Sequence, residues 1–276
     1  MRLAIVGLRK FWTRTATFVS VLVAAALVAL EFVLVGVGYR SASSGTSGLD
    51  KPTVTWLLTF PTAFEAVISI IFAFFGLVAL IYVATAAGSE WSWGTLKVAV
   101  TRGESRWQYT VATFASLAIV LMVGMLITFL AGIVAVVIGA SIAGLAVGNP
   151  LDPSTLAGVF VKLVRCWIAL PGLTSVGYAV AMVAKSQMAG IGTVIGYFIA
   201  SIFAPALLPD IVKEIFKYLP FSAAGDSIGI AGPATTGSAP AVTALDPNVA
   251  LLITIGWLIG CLAVASISVE RAEISG

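Results

Sequence analysis

Apolar residues in this chain fall in long runs rather than in the alternation expected of strands, and six runs carry few or no charges. They cover about 15–38, 58–86, 109–138, 154–184, 188–208 and 248–269. Roughly 20 apolar residues in a helix cross the ~30 Å hydrocarbon core of a bilayer. The pattern therefore predicts an all-α, polytopic membrane protein of six transmembrane helices, forming one domain over 1–276. Apolar character in the third run continues to Val147, and no polar turn divides it. Its Gly-rich part after Gly132 is expected to bend or to run on as an outer-face segment. Before the first run, Arg2, Arg9, Lys10 and Arg14 interleave with Leu3, Ile5, Val6, Leu8, Phe11 and Trp12. Such a segment predicts an N-terminal helix lying in the headgroup plane. The run from Thr15 to Gly38 is too long for the core of a signal peptide, so it is read as a span.

The connections carry their own punctuation. Residues 39–57 read as a Ser/Gly-rich loop containing Pro52. Asn149-Pro150-Leu151-Asp152-Pro153 is a turn, with Asp152 or Ser154 able to cap the next helix. Pro171 is expected to kink span four, and Lys185-Ser186-Gln187 to make a tight connection. Between spans five and six, Asp210 can cap a short helix with Ile211, Val212, Ile215, Phe216 and Leu219 on one stripe. Lys213, Glu214 and Lys217 face the other way, and Pro220 stops it. This outer-face amphipathic helix is too short to span. The rest of that loop, to Asp246, is rich in small residues.

The most polar long connection is residues 88–109, GSEWSWGTLKVAVTRGESRWQY. Ser89 can cap a helix there, with Glu90 in the first turn, where the helix dipole favours an anion. Gly103 can end that helix and Ser105 can start the next. The expected element is a helix of about three turns beside the membrane, with Trp93, Leu96 and Val100 on one face and Trp91, Thr95 and Val98 on another. A loop anchored at the headgroups by aromatic and basic side chains fits the same residues.

Composition narrows the function classes. Hydrophobic residues make up 60%, charged residues 10%, and the mean hydropathy is +1.09. Six spans leave no room for a separate catalytic domain. A net charge of +3, scattered along the chain, gives no nucleic-acid footprint. There is no His, no paired Cys at metal spacing and no Walker A sequence, so no catalytic, metal or cofactor site is expected. Cys166 and Cys261 sit in apolar runs as core or lipid-facing residues, with a disulfide left open.

Glu90, Gly94-Thr95-Leu96-Lys97, Thr101-Arg102 and Ser105-Arg106 resemble the ABC type-2 transporter permease family. There, a Gly-Thr-Leu followed by Ser-Arg-Pro and Ser-Arg forms the coupling helix that docks on an ATPase subunit. This chain has Gly103-Glu104 where a Pro-Val pair is frequent, and no Lys over Gln108–Thr110. With six runs around the motif, the resemblance extends over the whole length. It implies a permease subunit of an ATP-binding-cassette exporter, working as a homodimer or with a paralogue in the cell membrane. ATP and Mg would bind on the partner ATPase, and the coupling residues would be Glu90, Trp91, Trp93, Gly94, Thr95, Leu96, Lys97, Arg102 and Arg106. "YLPFSAAGD", around Pro220, is similar to the segment after span five of these permeases.

Basic residues set the expected orientation. Arg2, Arg9, Lys10, Arg14, Lys97, Arg102, Arg106, Lys185 and Arg271 fall in the segments read as cytoplasmic, together with both termini. Arg40, Lys51, Lys162, Arg165, Lys213 and Lys217 fall outside or near the outer face. Gly192, Gly196, Ala200 and Ala204 form a four-residue ridge on span five, placed by the resemblance at the dimer interface. Shorter ridges are Gly256 and Gly260, and Ala131, Ala135, Gly139 and Ala143. Glu31, Glu65, Lys162 and Arg165 are charges within spans at similar depth, expected to form an ion-pair network or to put one carboxylate in a cation pathway. A stand-alone secondary transporter, built on broken helices around a midplane polar site, is an alternative. A non-transporting membrane scaffold is another.

Overall fold

The computed structural model describes residues 2–42, 50–150, 153–207, 214–230 and 244–272. Within them the chain forms ten helices and no strand. They are α1 (Arg2–Trp12), α2 (Thr15–Ala42), α3 (Lys51–Leu58), α4 (Thr62–Ser92), α5 (Thr95–Thr101), α6 (Arg106–Ala143), α7 (Pro153–Val183), α8 (Gln187–Leu207), α9 (Pro220–Ile228) and α10 (Pro247–Arg271). Five of these, α2, α4, α6, α7 and α10, are long and apolar enough to cross a membrane. The helix α8, 21 residues long and apolar over Gln187–Ala200, occupies the place of the fifth run. The protein is thus an all-α, multi-pass membrane protein. The Asp152 cap, the Asp210 start of the short outer helix and the loop over 231–243 lie outside the described residues.

α4 is the most buried span and α2 and α10 the least. The central helix packs on α2, α6, α7 and α8, while α2 runs along α6 and α10 along α7. Close approach of α2 and α6 depends on Gly36 and Gly139. A Cβ built on Gly139 would lie 2.5 Å from the Phe32 carbonyl oxygen, and one on Gly36 2.4 Å from that of Gly139. The ridge on span three therefore serves packing inside one chain. Some buried hydroxyls in the spans bond to their own helices: Thr128 donates to the Gly124 carbonyl and Thr254 to that of Ala250.

Several boundaries depart from the sequence pattern. α6 is one uninterrupted helix of 38 residues, with no separate outer segment after Gly132. Its Gly-rich sequence stays helical because Gly132 and Gly139 are where Val67, Val28 and Phe32 press in. At 1.5 Å per residue it is about 57 Å long, well beyond a hydrocarbon core. The 39–57 stretch contains α3, which buries Val54 and Leu58. Pro220 does not only stop a helix; it opens α9, whose Ala223, Ala224, Ser227 and Ile228 are buried. The helix α7 continues through Pro171, and both Cys166 and Cys261 are free thiols.

The α2–α6 crossing yields the first prediction. Gly139→Val should destabilise the protein by about 2 kcal/mol, because its Cβ meets backbone that cannot swing aside. Gly256→Ala, which adds a methyl in open space, should leave the melting temperature in detergent unchanged. Equal melting of both variants would remove the crossing as a constraint.

Candidate coupling site

The end of the bundle that carries α1, α5 and the α7–α8 turn is built around Glu90. α4 does not stop with its apolar run but continues to Ser92, so Ser89 lies inside a helix and donates to the Ala86 carbonyl. The expected Ser89 cap and three-turn helix are thereby corrected. The break comes later, at Gly94, whose φ of +65° is a left-handed conformation that Gly adopts without strain. The segment beyond it, α5, is only seven residues. Gly103, with φ of +84°, makes the next turn, and Ser105 caps α6 by accepting from the Gln108 N–H. Those two sequence signals hold.

Glu90 is 0% exposed. Lys10 Nζ lies 2.6 Å from its Oε1, and its Oε2 accepts from the Thr95 hydroxyl at 2.5 Å and the Tyr109 hydroxyl at 2.6 Å. One carboxylate thus joins α1, the end of α4, the start of α5 and the start of α6. An ionised carboxylate needs this set of partners once it leaves water. Glu90 was expected in the first turn of the coupling helix, among the residues that dock on an ATPase. It is an internal tie.

Arg106 has a similar internal role. Its Nη1 donates to the Ala272 carbonyl at 2.8 Å and the Glu270 carbonyl at 3.0 Å, with the Val269 oxygen at 3.4 Å. These are carbonyls at the end of α10, the orphan acceptors that a cation satisfies best. Leu96, at 1% exposure, faces inward, and half-buried Trp91 carries Lys185 Nζ 5.0 Å above its ring. The α4 end also presses against the α7–α8 turn, where a Cβ on Gly88 would lie 2.3 Å from the Gln187 nitrogen.

What remains on the surface is a smaller platform. Trp93 is 65% exposed and Val98 50%, and Lys97, Arg102 and Trp107 are also exposed. Gly94 and Thr95 are half-buried. Arg14 caps one side of the platform, its guanidinium carbon 4.7 Å from the Trp93 ring. The platform lies beyond the level at which the first span meets α4. Thr17, near the start of α2, shares a hydrogen bond of 2.7 Å with Tyr82. α4 continues ten residues past Tyr82 to Ser92, about 15 Å along its axis.

At the opposite end the intramembrane charges separate. Lys162 on α7 pairs with Glu65 on α4, the two side chains 23% and 31% exposed. Arg165 joins neither acid. It donates to the Ser227 carbonyl at the C-terminus of α9 and to Asn248 Oδ1 at 2.7 Å. Glu31, half-buried on α2, has no hydrogen bond or ion pair among the described residues. The four charges therefore form one pair, one helix-end clasp and one separate carboxylate, not a single network. On α8, Gly192 and Gly196 face open space and Ala200 is exposed, while the side chain of Ala204 lies outside the described residues. Packing within the chain uses Gly190 and Val194 of α8 instead.

Lys10 and Tyr109 were not expected at this site. Lys10 lies 80 residues from Glu90 and reads locally as one of four bases at a headgroup surface. A sole acid between the apolar run and Gly94 is the only local hint that Glu90 needs partners. Compared with known proteins, residues 53–274 match the model of a family described as protein of unknown function (DUF2705). No curated protein matches the sequence.

The Glu90 tie generates a stability prediction. Glu90→Gln should lower unfolding stability in detergent by about 2–3 kcal/mol, since Lys10 is left partly buried and unpaired. Glu90→Lys should be worse, and adding Lys10→Glu should recover part of the loss. Unchanged melting of both single variants would mean the tie carries no energy.

Proposed function

We propose, for a chain that belongs to the DUF2705 family of proteins of unknown function, that it is the membrane-spanning permease subunit of an ATP-binding-cassette exporter. The observation that carries this reading is the exposed platform around α5, lying beyond the level at which the first span meets α4 and tied internally to four helices. A partner's groove can accept Trp93 and Val98 as apolar knobs, with Lys97 and Arg102 at the rim. ATP and Mg bind on that partner, which closes on ATP and pushes α5. Glu90 passes the push to α1, α4 and α6, and Arg106 passes it to the end of α10. An unidentified substrate is thereby moved outward.

Eight of the basic residues gather at this end: Arg9, Lys10, Arg14, Lys97, Arg102, Arg106, Lys185 and Arg271. That bias supports a cytoplasmic platform and cytoplasmic termini in the cell membrane. The free Gly192–Gly196 edge of α8 supports a second permease copy packed there. A secondary transporter needs interrupted helices around a midplane polar site. The described spans are continuous, and Thr128 and Thr254 within them bond to carbonyls of their own helices, which favours the permease.

A Walker-A ATPase encoded beside this chain should co-purify with it and have its hydrolysis changed by it. Trp93→Asp and Val98→Asp should each cut co-purification about tenfold or more, as expected for the loss of an interface anchor, and leave the melting temperature of the chain unchanged. Leu96→Asp should instead unfold the platform, since Leu96 is a core residue. Normal ATPase binding and stimulation by both surface variants would reduce α5 to a plain connection.

A further inference from the structure

Where α1 turns into α2, the surface holds an apolar groove of about 340 Å³ between α2 and α6. Phe18 and Leu22 form one wall, Val123 and Ile127 the other, Gly124 the floor, and Trp12 closes the end nearest the turn. The absence of a side chain at Gly124 lets Val21 and the Phe75 ring close the base beneath it. Thr17 is the one hydroxyl in the lining, and it is already engaged by the Phe11 carbonyl at 2.6 Å and by Tyr82. A groove with no free polar partner does not hold ordered water, and it suits hydrocarbon.

Beyond the lining, next to Trp12 in sequence, α1 and the α1–α2 turn carry basic residues. Arg9 is exposed and lies three residues before Trp12, on the same face of α1. Arg14 sits in the turn itself, held over the Phe11 ring at 5.1 Å and the Trp93 ring at 4.7 Å. Neither guanidinium has an acidic partner or donates a hydrogen bond among the described residues. Lys10, the third base of the turn, is taken by Glu90. Two planar forks of N–H donors thus stand unanswered where a span enters the membrane beside an interfacial Trp.

We propose that this groove is a binding site for one anionic phospholipid, its acyl chain lying between α2 and α6 and its phosphate held by Arg9 and Arg14. Charge complementarity selects this occupant. A two-fold copy seated here would bring its own unanswered Arg9 and Arg14 to the same face, whereas an anionic headgroup supplies the missing charge and bidentate acceptors. Through Arg14 the headgroup sits one contact from Trp93. The binding claim rests only on the membrane architecture, so it survives or fails independently of any ATPase partner.

The test is native mass spectrometry of the full chain in detergent, with phosphatidylglycerol or phosphatidylcholine of identical acyl chains added. One phosphatidylglycerol should be retained per chain, about tenfold more strongly than phosphatidylcholine, given the contribution of each basic residue near a membrane surface. Arg9→Gln with Arg14→Gln should abolish the preference between the two lipids. Ala25→Phe, which fills the groove, should abolish retention of both. Equal retention of the two lipids by the unaltered chain overturns the proposal, as does preference that persists in the double Arg variant. Efficient disulfide cross-linking between copies through Leu22→Cys, in a background lacking Cys166 and Cys261, would assign the groove to a second chain and overturn it too.

Discussion

A carboxylate taken out of water at the end of a membrane-spanning helix must be answered by charge and hydrogen bonds, and the way Glu90 is answered shapes this end of the molecule. Its partners come from three separate elements, Lys10 on α1, Thr95 on α5 and Tyr109 on α6. An apolar residue there would leave Lys10 and the Tyr109 hydroxyl to be solvated separately, and α1 could drift along the headgroup plane. With the carboxylate in place, moving any one element leaves a buried charge short of partners, a change that costs several kcal/mol. The short α5 has little helical stability of its own, and its conformation follows from this tie, from Leu96 beneath it and from the left-handed Gly94 before it.

The other polar contacts extend the same body. Arg106 links the start of α6 to the end of α10, and the Tyr178 hydroxyl donates to the Thr110 carbonyl at 2.9 Å, joining α7 to α6 one turn further on. At the far end, Arg165 and the Tyr197 hydroxyl fix α9 by its C-terminal carbonyl and by the Phe221 N–H. Between these two polar ends the bundle is apolar, packed by glycine-mediated crossings and by hydroxyls bonded to their own helices. The polar contacts of the described residues thus gather at the two ends of the bundle, and Tyr178, Arg106 and Glu90 link helices at the platform end.

The all-α, multi-pass class was legible in the sequence because long, nearly uncharged runs admit little else in a bilayer, and five of the six runs form helices long and apolar enough to cross. Ser105 and Gly103 were legible because caps are local chemistry. The stalk was not. Residues 87–92 are no more apolar than a surface segment, and α4 continues through them only because α1 and the α7–α8 turn cover it. Glu90 and Arg106 read as surface charges for the same reason, since the groups that bury them lie 80 and more than 160 residues away. α3 and α9 were hidden in Ser-, Pro- and Ala-rich stretches, and tertiary packing rather than propensity makes them helical. Glu65 with Lys162 was found by depth counting, which works for charges on long helices. Arg165 was misassigned because its partners are the ends of α9 and α10.

The central claim is that Glu90 fuses α1 and α5 into one rigid body. Distance measurement by pulsed electron paramagnetic resonance tests it most directly, with spin labels at Val6→Cys and Val98→Cys, both exposed positions, in a chain lacking its native cysteines. The account predicts one narrow distance distribution in the otherwise unaltered protein and a broad one when Glu90→Gln is added. A distribution that is already broad, or that stays narrow without the carboxylate, would contradict it.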